Sequence, residues 1–479
     1  MASAVFRLFR RVPVGVAPIW IPTALALPAV LAAQDPPPAR SQEPGQASSA
    51  AGVDLVLHVG TVHTVSGPTI EDGVLVLAKG RIAAVGPRAS ITWPQGVPVL
   101  ELPGAHAYPG LVDAWSRAFL PAAGFGEAGA GTDVAAGLDR FGADGRRCVR
   151  GGVTTAHVLA AGDGKWLGTG ALVRPRPDAF EPFAPDRTGA ELLRLVGDPR
   201  QHPVTRYKEL VDLGRVFEEA EAYDKARSKH ADAVAKYGKD WAAYLDAVRA
   251  AAGKNAKKPG GTSPEEAPPA AEGETGSAGA ERPSGPKRPT YPKKPPLDPQ
   301  KEALLAVAAG KVPLWIEAQR REELRAALRL LADEGLRRGA LLGCLDGLAV
   351  LDELAAAGVG VVLTPTGLPA ELDGEPVDAR LARALFEKGL PLAIASGNAQ
   401  RSGDLPLMAA ACVGDGLPED AAVRAITLTP AELLGIDGDV GSLDVGKRAD
   451  VVVTSAPILR SEARVLRVLA DGQAIYQGR

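Results

Sequence analysis

The sequence predicts an α/β protein, a parallel sheet flanked by helices, with short β-forming runs near both ends. Three observations carry this. Over residues 108–436, short apolar runs alternate with helical periods, the pattern of repeated strand–helix units. Residues 53–102 and 441–476 instead hold short runs of β-forming residues. With 46% hydrophobic and 23% charged residues over 479 positions, the chain can bury one large core with additions.

Ahead of the β-runs, Arg7, Arg10 and Arg11 precede an apolar stretch over residues 12–33 that ends Leu31-Ala32-Ala33. A basic start, an apolar middle and a small-residue end read as a secretory signal over residues 1–33, which predicts a secreted or periplasmic protein. The stretch nearly reaches bilayer-spanning length. Pro13, Pro18, Pro22 and Pro28 interrupt it, however, and favour a cleaved signal over an anchor. Residues 34–52, rich in Pro, Ala, Ser and Gln, read as a disordered linker.

Residues 53–59, 74–78 and 81–85 follow as strands, with Lys79-Gly80 as a two-residue turn between the last two. They are too few to close a core alone and need a partner segment. Within residues 108–436 the candidate buried strands are 152–158, 171–173, 312–316, 340–345, 359–363 and 390–395, with amphipathic helices over 322–333 and 348–356. Periodicity fits a closed barrel and an open sheet equally. Two insertions interrupt the pattern. Residues 189–252 are helical, as two helices over 207–234 and 241–251 that meet near Gly238, and residues 253–300 lack aliphatic residues and read as a disordered loop.

Composition excludes several functions. A net charge of −3 without a long one-sign run argues against a nucleic-acid partner. Cys148, Cys344 and Cys412 are odd in number and far apart, so they form neither a disulfide framework nor a zinc pattern. Gly168-Thr169-Gly170 has no Lys-Ser/Thr after it and is no phosphate loop. Ser396-Gly397-Asn398 lacks the glycine-flanked serine of a nucleophile elbow, and Cys344 in its apolar run reads as packed core.

Three motifs occur in a fixed order. Residues 73–86, Gly-Val-Leu-Val-Leu-Ala-Lys-Gly-Arg-Ile-Ala-Ala-Val-Gly, lead to Pro109-Gly110-Leu111-Val112-Asp113. Gly152-Val153-Thr154-Thr155 follows. Near the C-terminus come residues 427–435 (Thr-Leu-Thr-Pro-Ala-Glu-Leu-Leu-Gly) and residues 441–453 (Gly-Ser-Leu-Asp-Val-Gly-Lys-Arg-Ala-Asp-Val-Val-Val). Together they resemble the amidohydrolase superfamily, most of all its imidazolonepropionase-like metal-dependent hydrolases. The resemblance implies a TIM-like (β/α)8 barrel plus a small β-sandwich formed from both ends of the chain. It implies residues 53–105 and 437–479 as that sandwich and 106–436 as the barrel.

The resemblance also implies a metal-bound hydroxide that hydrolyses C–N or C–O bonds, held by His and carboxylate ligands. This chain departs from that pattern. Where the family's first barrel strand ends Asp-x-His-x-His, it reads Asp113-Ala114-Trp115-Ser116-Arg117, and neither indole nor guanidinium ligates a cation. Glu317 stands at the mid-barrel His position, Asp346 near the next, and Ser396-Gly397-Asn398 where the last strand's Asp belongs.

Of the six histidines, only His157 falls where it would face the barrel mouth. Asp113, His157 and Glu317 are the candidate catalytic residues. Each also has a bland reading: Asp113 paired with Arg117, His157 a satisfied rim or core residue, Glu317 paired with Arg320 or Arg321. Asp346 reads as a cap for the helix after it. Trp115 and Arg117, an apolar face and a fixed positive charge, are the candidate ligand-binding residues.

The reading that follows is a pseudoenzyme: no metal, no other cofactor, and a small anionic molecule, a second copy or an active paralogous subunit as partner. Its rivals are a working hydrolase of cyclic amides or peptides through a rearranged site, and a structural envelope protein.

Overall fold

The computed structural model describes residues 52–121, 128–162, 164–185, 187–195, 213–255, 287–364, 378 and 380–478. The signal and all but the last residue of the linker lie outside these, as do residues 256–286 of the expected loop. Among the described residues, no helix is long and apolar enough to cross a membrane.

Strands β1 (Val53–Val62), β2 (Ile70–Ala78) and β3 (Arg81–Pro87) form two successive hairpins. The β2–β3 turn places Lys79 and Gly80 at φ 50° and 74°, the left-handed pair that a tight right-twisted hairpin needs. Strand β4 (Val99–Pro109) then lies parallel to β1. It runs past residue 105, where the β-domain was expected to end. The two strands shift register at Gly60, where a Cβ would stand 2.5 Å from the Pro103 carbonyl oxygen.

The strand–helix stretch begins with β5 (Leu111–Ser116), α1 (Asp144–Arg150) and β6 (Val153–Val158). Short strands β7 (Trp166–Thr169), β8 (Ala171–Arg176), β9 (Ala179–Pro182) and β10 (Glu191–Arg194) follow, then α2 (Arg215–Asn255) and α3 (Pro299–Ala308). Next come β11 (Leu314–Ala318), α4 (Arg321–Asp333), β12 (Gly339–Gly343), α5 (Leu351–Ala357), β13 (Gly360–Leu363), α6 (Arg380–Glu387) and β14 (Leu392–Ile394). Helices α7 (Leu405–Gly414), α8 (Glu419–Ala425) and α9 (Leu428–Leu434) close the stretch.

These strands make two sheets, β5-β6-β8-β9 and β14-β13-β12-β11-β10-β7. Neighbours from β10 to β14 are parallel, so their C-terminal ends lie along one edge. Backbone bonds link the two sheets: Gly397 N–H donates to the Trp115 carbonyl and Gly170 N–H to the Ala190 carbonyl, both at 2.8 Å.

The inserted region differs from its expected form. Residues 189–252 open with β10, not with a helix, and α2 runs unbroken through Gly238. A mid-helix glycine costs only about 1 kcal/mol, and ring packing across it offsets that. Tyr237 stacks on Trp241, with centroids 5.8 Å apart, and the Tyr291 ring meets Tyr237 at 5.1 Å. Residues 287–298 of the expected loop therefore return along α2, where Arg288 also covers Trp241.

Strands β15 (Val451–Thr454), β16 (Val465–Ala470) and β17 (Gln473–Gln477) complete one seven-stranded sheet, β17-β16-β15-β4-β1-β2-β3. The two ends of the chain thus share a single hydrogen-bonded order, joined where β15 pairs antiparallel with β4. A buried ion pair ties this sheet to β8: the Arg174 guanidinium donates to Asp450 at 2.8 Å and also holds Asp471.

Candidate functional site

Asp113, in the middle of β5, is fully buried. It accepts the Ser396 N–H at 3.0 Å and the Ser396 hydroxyl at 2.6 Å, so its partner comes from just past β14 and not from Arg117. Burial pushes its carboxyl up to about 6, although the Ser396 bonds oppose the shift.

His157, on β6, is also fully buried. Its Nδ1 lies 2.9 Å from the Ala114 carbonyl, which can only accept, so Nδ1 carries the proton. Nε2 then accepts the Ala190 N–H at 3.0 Å. The ring edge packs on Trp315, with centroids 4.6 Å apart. A Cβ at Gly170 or Gly189 would come within 2.6 or 2.4 Å of Nε2, so glycines give the ring its room. Burial lowers the imidazole to about 4 and keeps it neutral. Both nitrogens are committed to backbone groups, and no lone pair remains for a metal or a proton.

Glu317, on β11, is 5% exposed and lies 3.6 Å from Arg194 on the neighbouring β10. The expected arginine does something else: Arg320 lies 3.6 Å from Asp346. Asp346 in turn accepts the Arg321 N–H at 3.1 Å, which caps α4 before it and not the helical turn after it. Trp115 is 2% exposed, and Arg117 is half-buried with its Nε unbonded. Cys344 is buried, and burial pushes its thiol up to about 12.

The structure therefore brings Asp113 to Ser396 and His157 to Trp315, and leaves Glu317 with Arg194. Sequence reasoning missed three buried polar residues. Glu191, on β10, accepts from the Thr169 hydroxyl at 2.7 Å while burial lifts its carboxyl to about 8. Gln319 and Thr364 directly follow β11 and β13, and each keeps one unbonded side-chain atom. The signal for Gln319 is its position two residues after Glu317, on the same face of an extended strand end. An acid next to Leu192-Leu193 was the signal for Glu191. Two cavities, of about 930 and 730 Å³, lie where the strand–helix body meets the terminal sheet, and neither includes Asp113, His157 or Glu317.

Comparison with known proteins fits this geometry. Residues 341–475 match the profile of the Amidohydrolase family. The chain is 34% identical over 138 residues to an imidazolonepropionase of Shouchella clausii, covering 27% of this chain and 30% of that protein. It is 34% identical over 149 residues to one from Parabacteroides distasonis, covering 28% and 35%. The matched part thus spans about a third of the length of these curated relatives. Among solved structures, an amidohydrolase from Thermotoga maritima has a TM-score of 0.65 at 18% identity, over 89% of this chain and 100% of that one, a likeness of fold. Residues 341–475 are thus similar to the amidohydrolase family, and the curated relatives resembled are imidazolonepropionases.

The metal that this superfamily implies does not fit the side chains described. No group of three or more His, Cys, Asp or Glu among them is placed to hold an ion. Trp115 and Arg117 carry no ligating atom, and His157 has no free nitrogen.

Proposed function

We propose that this chain keeps the amidohydrolase frame, has lost metal-dependent hydrolysis, and binds a small anionic molecule at the ends of its central strands. In this reading the two sheets are arcs of one (β/α)8 barrel, closed through the Trp115–Gly397 and Ala190–Gly170 bonds. The observation that carries the proposal is His157, whose two nitrogens are consumed by Ala114 and Ala190. Arg117 supplies a permanent positive charge where the family would place a ligand; it attracts an anion but does not activate water. The signal-like residues 1–33 support a secreted or periplasmic setting for this role.

A second reading, a hydrolase of C–N bonds, rests on the relatives' names and on Asp113, a buried carboxyl that titrates at about 6. In that reading the base is Asp113 or Glu317. The test supplies zinc, manganese or cobalt to the purified full chain and measures turnover of a panel of cyclic amides and dipeptides. No metal-dependent turnover is expected. Turnover that disappears in Asp113→Asn or Glu317→Gln would replace the first reading with the second.

A further inference from the structure

Three polar atoms along one edge of the sheets have no hydrogen-bond partner among the described residues: Arg117 Nε, Gln319 Nε2 and Thr364 Oγ1. Gln319 is fully buried and Thr364 is 3% exposed. Native proteins seldom leave a buried donor unmet unless a ligand or a water receives it.

The three residues hold equivalent places. Each directly follows the last residue of its strand: Arg117 after β5, Gln319 after β11 and Thr364 after β13. The strand ends run β11, β12, β13, β14 and then β5, the last step made by the Gly397–Trp115 bond. The unmet groups therefore sit on alternate members of five neighbouring strands, all at the same end. Glycines make space for two of them. A Cβ at Gly343 would stand 2.0 Å from Gln319 Nε2, and one at Gly397 would stand 2.7 Å from the Thr364 methyl. Gln319 Oε1 already receives the Leu345 N–H at 3.4 Å, which fixes the amide so that its NH₂ is the free group.

The chemistry of the missing partner follows. Arg117 is permanently charged, no carboxylate among the described residues pairs with it, and Asp113 is taken by Ser396. A guanidinium matches a carboxylate through two parallel bonds. Alternate strands are about 10 Å apart along a sheet, and less across a curved one. A ligand that meets both Arg117 and the Gln319–Thr364 side therefore needs acceptors at both ends. We infer that Arg117, Gln319 and Thr364 form the recognition set for a short dicarboxylate, an inference that rests on the loss of the metal proposed above.

The test titrates EDTA-treated full-length protein with glutarate by calorimetry, with the neutral glutaramide and inorganic phosphate as comparators. Saturable glutarate binding is expected, with none for glutaramide. Arg117→Gln, Gln319→Leu and Thr364→Val should each weaken glutarate roughly tenfold or more. Without ligand, Thr364→Val should melt no lower than wild type, because it removes a donor that had no acceptor, whereas Gln319→Leu also takes the acceptor from the Leu345 N–H.

Four results would overturn the inference: no glutarate binding, binding of phosphate alone, affinity unchanged in all three variants, or a lower melting point for Thr364→Val. The last is what loss of a water-bridged donor produces. Metal-dependent turnover, read on a separate aliquot, removes the proposed function even if glutarate binds. Absence of glutarate binding in an inactive protein removes this inference alone.

Discussion

Asp113 and His157, on β5 and β6, and Gln319 and Thr364, beyond β11 and β13, are all buried polar residues near strand ends, yet their atoms are used differently. Every polar atom of the first pair is bonded, to Ser396 or to the backbone of Ala114 and Ala190. In the second pair one atom each is free. The residues that the sequence marks as candidates for chemistry are thus built into the frame, and free hydrogen-bonding capacity lies on two residues it did not single out. A side chain's type tells what it can do; its partners decide whether it is available.

The frame itself depends most on the terminal sheet, so its loss should have the largest effect. Deleting residues 441–479 removes β15, β16 and β17, uncovers the β4 edge and strands Arg174 without Asp450 and Asp471. The expected product is insoluble or molten, without a cooperative transition by circular dichroism. A sharply melting truncated protein would show that the strand–helix body is stable alone.

His157→Leu comes next. It removes a neutral ring held by two buried bonds and strips Ala114 and Ala190 of their partner, at about 3–5 kcal/mol. Urea denaturation should show the midpoint fall. The same substitution should flatten the acid limb of the stability curve. The ring's value lies at about 4 against 6.5 ordinarily, so between these only the unfolded chain takes up the proton, and wild-type stability drops as pH falls. A variant as stable as wild type would return His157 to the set of available residues.

Asp113→Asn should cost less, about 1–3 kcal/mol, because one of the two Ser396 donors keeps an acceptor. Chemical denaturation beside Ser396→Ala would test whether the two losses overlap, as they should for one shared interaction.

Glu191→Gln is the smallest change in shape and alters mainly the pH dependence. The Glu191 carboxyl titrates at about 8 against 4.5 ordinarily. Between those values only the unfolded chain has released the proton, so stability falls as pH rises. Gln abolishes that slope while keeping an acceptor for Thr169, and thermal melts between pH 5 and pH 8, a window inside the two values, should diverge from wild type upward with pH. Parallel melts would mean that the carboxyl is ionised in the folded protein.

Much of the frame was legible because it is local. Residues 359–363 are an apolar run and residues 152–158 a run rich in β-branched residues, each of strand length, and Lys79-Gly80 names its own turn. The four-residue strands β7, β9 and β10 were missed because they are too short for a period of two to register. Gly238 looked like a helix break because the aromatic packing that carries α2 through it involves Tyr291, far along the chain.

The site was harder to read. That Trp115 and Arg117 stand where the resemblance expects histidines is an expectation taken from the sequence. That Asp113 bonds Ser396, 283 positions away, is not. Asp346 capping α4 from 25 residues downstream is another case of a partner chosen by the fold and not by proximity in sequence.

Elemental analysis of the natively purified full chain, grown with zinc and manganese supplied, tests the central claim most directly. With His157 bonded through both nitrogens and Trp115 and Arg117 in the ligand row, metal should be far below stoichiometric and should not rise on titration. Stoichiometric zinc or manganese that is lost in Asp113→Asn or Glu317→Gln would contradict the account and restore a metal-dependent site to this fold.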